Sequence, residues 1–189
     1  GQDILLGGFS GLFYEVTDES GRLLFVTHTD RGPNPEPQDV DGDGVNERPF
    51  ALPDFHPVIV RLAVDPAAGS AEILEQVGLT SADGTPLTGL PNLAGEAGMA
   101  YADEEPVDLQ GNPLELDPLG GDFEGIVRAE DGTYWMVDEY RPAIYHFTPD
   151  GILIARYVPE GSNNVETGVA VGEEAIPAIY AQRRANRGF

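Results

Sequence analysis

The chain has 189 residues, 41% of them hydrophobic, which suits a single globular domain with one core. Its 33 Asp+Glu residues against 10 Lys+Arg give a formal net charge of -23, with every strong base an Arg, so a phosphate backbone has no basic surface to bind and nucleic acid is excluded as a partner. There is no Cys, which excludes disulfides and thiolate metal sites, and no apolar run approaches the ~18 residues of a membrane span. Such acidity serves either a highly solvated, salt-adapted surface or cation binding. Gly1-Gln2-Asp3 is neither a signal n-region nor a cleavage motif, so the start reads as the middle of something longer.

In chain order, "GGFSGLFYEV" (7 to 16) opens a strand rich in aromatic and β-branched residues, and "TDESGR" turns it into a second, "LLFVTHTDRGP". After a long connection over 31 to 56 come "VIVRLAVDPAAG" and "AEILEQVGL", joined by a Pro-containing turn. A second long connection, 81 to 121, holds "GEAGMAYADEEP", where a helical turn is expected with Glu96, Glu104 and Glu105 on a solvated face. The pattern then repeats from about 120: "GDFEGIVRA" (121 to 129), the turn "EDG", "TYWMVDEYRP", "AIYHFTPDG" and "ILIARYVPEG", followed by a connection over 160 to 187 and a third start in "NRGF" (186 to 189).

Four short antiparallel strands per repeat describe a blade of an all-β β-propeller. The chain supplies two blades, about 7 to 80 and 120 to 159, and the start of a third at 187. A propeller needs about four to eight blades, so the remaining part is expected in the same chain beyond Phe189 or in another chain, the alternative being a fold that closes differently. In an up-and-down blade the long connections emerge on one face and the tight turns on the other, and long loops without regular structure are usually functional.

Glu124 starts the innermost strand of the second repeat and Asp138-Glu139 end its neighbour, so all three are expected at the loop-rich face. In the first repeat Ser10 stands where Glu124 stands, and Asp30 lies three residues before Pro33 as Glu139 lies three before Pro142. Clustered carboxylates need cations, shared protons or bases, which Arg31, Arg141 or Ca²⁺ would supply; the alternative is acids that cap amides or pair with Arg to pin strands. His28, near Asp30, is the one histidine suited to work at this face, and a packed strand-end His is the competing reading; His56 and His146 have no zinc-like spacing.

In "DVDGDGVNE" (39 to 47), Asp39, Asp41 and Asp43 alternate as oxygen ligands around a hard cation, Gly44 permits the bend and Glu47 closes the shell. The twelfth position is Phe50, so this is a short Asp-rich calcium loop rather than an EF-hand. No "GxSxG" or Gly-rich phosphate motif is present, and Ser10 in "GFSGL" lacks a nucleophile elbow.

Through "GGFSGL", "THTDRGPN", "DFEGI", "DGTYWMVDEYRPAIYHFTPDG" and "RRANRGF", the chain resembles the bacterial phytase-like family with esterase-like activity. The resemblance implies a secreted or periplasmic β-propeller that hydrolyses phosphoric or other esters. The family-like positions are Asp30 to Asn34, Asp122, Glu124, Gly125, Asp138, Glu139 and Arg187 to Phe189. Two functions follow as expectations. In a calcium-dependent ester hydrolase, Asp30, Glu124, Asp138 and Glu139 form the catalytic set, with Arg31, Arg141 and His28 holding an anionic small-molecule ester. The alternative is a non-catalytic, calcium-stabilised surface, binding or assembly module.

Overall fold

The computed structural model describes residues 5–92, 105–140, 142–158 and 170–171; Arg141, most of the 160 to 187 connection, the helical turn expected after Gly95 and the third repeat start at 187 lie outside them. The strands are β1 (Phe9–Thr17), β2 (Leu23–Thr29), β3 (Arg48–Pro49), β4 (Val58–Asp65), β5 (Ser70–Gly78), β6 (Pro106–Val107), β7 (Phe123–Arg128), β8 (Tyr134–Asp138), β9 (Ala143–Phe147), β10 (Leu153–Tyr157) and β11 (Ala170–Val171), and no helix occurs among the described residues.

The two repeats become two antiparallel meanders. One sheet has the order β1-β2-β4-β5; the other has β7-β8-β9-β10, with β11 added in parallel beside β10. Period-two alternation drives both. In β8, Tyr134, Met136 and Asp138 are buried while Trp135 and Val137 are half-buried, and β9 repeats this with Ala143, Tyr145 and Phe147 inward. The tight turns close on an Asp or Thr side chain that accepts backbone N–H groups: Asp18 from Ser20 and Arg22, Asp65 from Ala67 and Ala68, Asp131 from Thr133, and Thr148 from Ile152.

β1 and β2 lie against β7, and one core of Val26, Ile59, Phe123, Ile126, Met136, Tyr145 and Phe147 spans both sheets. Two devices fix that contact. Gly11, at a bulge of β1 with φ 53°, brings the backbone so close that a Cβ there would fall 2.7 Å from His28 Nε2 and 3.2 Å from Gly125 Cα. Glu15 of β1, its side chain 8% exposed, receives Arg128 of β7 on one oxygen and Arg61 of β4, at 3.1 Å, on the other.

The long connections differ from the expected irregular loops. β3 and β6 pair in parallel, Arg48 with Pro106 and Pro49 with Val107, so the 31 to 56 and 81 to 121 segments are stitched together. A two-residue ladder containing two prolines carries no hydrophobic period, which is why it escapes a sequence reading. The described strands form two open sheets and this small ladder rather than a closed ring.

Candidate acidic site

The end of β2, the entry to β7 and the exit of β8 converge. Asp30 follows β2, Asp122 precedes β7, Glu124 is its second residue and Glu139 follows β8; Glu139 N–H donates to Asp122 O at 2.8 Å, locking entry to exit. One carboxylate oxygen from each of Asp30, Asp122 and Glu124 lies within 4.8 Å of the others. At such a separation each pair of ionised carboxylates costs roughly 3.5 kcal/mol or more for an effective dielectric of about 20.

Asp122 is 1% exposed. Its carboxyl is pushed well up by burial first and by a hydrogen bond with Asp30, against the pull of Arg31, whose Nη1 lies 3.1 Å from Oδ2. The Arg31 guanidinium also sits over the Tyr140 ring, 5.4 Å from its centroid, and Tyr140 donates its hydroxyl to Gly89 O. Glu124, half-buried, is raised by burial, by the charges of Asp30 and Glu139 and by a hydrogen bond shared with Glu139, while a hydrogen bond with Ser10 opposes the shift. Ser10 thus serves the acid whose place it takes in the first repeat.

Asp138 and His28 occupy positions other than those expected at the mouth. Asp138 is fully buried beneath it: Oδ1 accepts the N–H groups of Asp122 (3.0 Å) and Tyr140 (3.2 Å), and Oδ2 accepts Asn92 Nδ2 (2.9 Å). Its carboxyl is raised to about 6 by burial, against the charge of Arg156 and these donors. Asp138 therefore holds the backbone that presents Asp122 and Tyr140. His28 is also fully buried, edge-on to Phe123 and tucked under Gly11, with Nδ1 3.1 Å from Thr29 O; burial lowers its pKa. Both floor the site because β-strand alternation turns these residues inward. Asp122 enters the sequence reading only through the family resemblance, since Gly8 holds the equivalent place in the first repeat. Asn92 and Arg156 come from distant segments and leave no local signal.

Asp39, Asp41, Asp43 and Glu47 do assemble, with one oxygen of each within 4.8 Å of the rest. Asp39 accepts Gly42 N–H (2.6 Å) and Gly44 N–H (3.0 Å), Asp41 accepts Asp43 N–H, Asp43 accepts Val45 N–H, and buried Glu47 accepts Val40 N–H. Gly42 and Gly44 have φ of 86° and 93°, which the curl requires. A backbone bridge between Gln38 and Glu47 closes the loop just before β3. An all-oxygen set of this kind suits a hard cation.

A cavity of about 480 Å³ adjoins Asp30, walled by Leu6, Pro33, Leu52 and Phe55. A larger one, about 600 Å³, between 81–90 and 115–119 holds Asp83 and Asp117, but Asp83 already accepts Ser81 and Thr85, and Asp117 accepts Thr88 and Leu119.

Paired antiparallel meanders presenting convergent acids and a separate Asp-rich loop define an all-β protein with two metal-competent acidic groups. The chain belongs to the phytase-like family, described as having the esterase-like activity of phytase, whose sequence profile matches residues 4–189. It is 32% identical over 121 residues to an uncharacterized secreted protein of Arthroderma benhamiae, an alignment covering 60% of this chain and 24% of that protein. The matched part is thus about a quarter of the relative's length. No solved structure matches the chain.

Proposed function

We propose that the protein is a secreted ester hydrolase, with the Glu124–Glu139 pair supplying the general base and Arg31 orienting the substrate's oxygens. The observation that carries this reading is Glu124: half-buried, raised by burial and by two neighbouring acids, and set on strand β7 at the point where three acids converge. A carboxylate whose proton affinity is raised removes a proton from water better than an ordinary one. Membership of a family described by esterase-like activity supports the same chemistry, and likeness to a secreted relative supports the location.

The substrate class follows from charge and shape. A net charge of -23 repels polyanions such as phytate, whereas the apolar cavity beside Asp30 accepts the hydrophobic portion of an ester with a neutral or singly anionic head. Ca²⁺ in the Asp39 loop orders residues 38 to 47 and, through β3, the junction of the two long connections. The two sheets are consecutive propeller blades, and the exposed apolar side chains of Leu12, Tyr14 and Val16 on one, with Val127 and Ile154 on the other, are faces for further blades.

Assay of phosphate monoesters and carboxylic esters, with and without chelator, tests this. Glu124→Gln is expected to keep the fold and lower turnover by about 10²- to 10⁴-fold, and chelation to abolish it. Normal turnover in the folded variant would overturn the assignment. Calcium-dependent stability without any ester turnover would instead favour the binding-module reading, to which the Asp39 loop and the acidity equally belong.

A further inference from the structure

Asp122 and Asp138 are equally buried acids in adjoining shells, and they are treated in opposite ways. Asp138 accepts three N–H donors. Asp122 is 1% exposed, yet neither of its oxygens accepts a geometrically sound hydrogen bond; its basic neighbour is Arg31, 3.1 Å from Oδ2, which is also engaged with Tyr140. Buried carboxylates are ordinarily served by donors. Asp122 instead turns its oxygens towards those of Asp30 and Glu124.

We propose that Asp30, Asp122 and Glu124 form a second divalent-cation site, separate from the Asp39 loop and of the calcium type. The Arg31 backbone N–H serves Asp30 Oδ1 at 2.5 Å, but both oxygens of the most buried carboxyl in the pocket, Asp122, are left without a hydrogen-bond donor, an arrangement complementary to a cation. One oxygen from each residue lies within 4.8 Å of the others, close enough for a single ion to bridge all three, and Ca²⁺ takes carboxylate oxygens in flexible geometry where Mg²⁺ demands a near-ideal octahedron. Asp30 and Glu124 are only half-buried, so the side of the site away from Asp122 opens to the cleft and leaves coordination positions for water or a substrate oxygen. The cation's part in catalysis, polarising the ester beside Glu139, rests on the ester-hydrolase reading; its binding does not.

The test is a count of bound Ca²⁺ on the full chain, stripped with chelator, replenished and measured by equilibrium dialysis with elemental analysis. The wild type is expected to hold two ions, Asp122→Asn one, Asp41→Asn one and the double variant none. Melting supplies a second readout. In chelator Asp122→Asn should melt no lower than the wild type, since a neutral amide relieves the crowding of three carboxyl groups, while added Ca²⁺ should raise its melting temperature less than that of the wild type. An Asp41→Asn variant that binds no ion, or a folded Asp122→Asn variant that keeps the wild-type number, would overturn the site. If that variant does not fold, Glu124→Gln, on the open side, carries the same test. None of these measurements uses turnover, so an inactive protein would sink the hydrolytic reading alone.

Discussion

Asp122, Glu124 and Asp138 all hold protons more tightly in the folded chain than in the unfolded one. For acids raised in this way, stability is fully present at low pH and is lost as the pH rises from their unfolded values through the raised ones. Asp83, lowered to about 2 by Ser81 and Thr85, and Asp131, lowered by Thr133, act oppositely and lose their contribution only below the ordinary Asp range. In chelator, melting temperature should therefore rise as the pH is brought from 8 to 5. The groups facing Asp122 are Asp30, Arg31 and Asp138, those facing Glu124 are Asp30, Glu139 and Ser10, and Arg156 faces Asp138. Asp122→Asn should flatten the slope, separating its effect from the general relief of negative charge; an unchanged slope would remove Asp122 from this account. Glu124 was legible as a site residue because it starts the innermost strand of the second repeat, beside the corner at which Asp30 and Glu139 repeat, whereas Asp122, with Gly8 in its place in the first repeat, was marked only by the family resemblance.

Among the elements, β1 shows how backbone decides side-chain placement. Gly11 sits at a bulge with positive φ, directly over His28. Gly11→Ala should cost about 1–3 kcal/mol, from left-handed strain together with the clash, measured by chemical denaturation; a loss within a few tenths of a kcal/mol would mean the bulge relaxes freely. The strands of both meanders were readable from alternation and turn chemistry, and the Asp39 loop from its spacing. β3 and β6 were not, because a two-residue pairing between segments far apart in sequence has no local pattern to reveal it.

In the whole molecule, the two sheets are joined by apolar core and by Glu15, whose carboxylate takes Arg128 across the interface and Arg61 within its own sheet. Glu15→Ala leaves two partly buried guanidinium groups without their shared carboxylate and should cost about 3 kcal/mol in denaturant unfolding; a change under about 0.5 kcal/mol would reduce the network to a solvated surface pair. The sequence by itself determined the all-β class, the two four-strand repeats and the Asp-rich loop, because these depend on residue spacing within a few turns of chain. Only the tertiary structure decided which acids meet, that Asp138 and His28 lie beneath the cleft, and that Asp122 is buried beside Arg31 and facing two other acids. Burial and partnership are properties of segments brought together in space, and strand alternation alone does not say what will lie across the core.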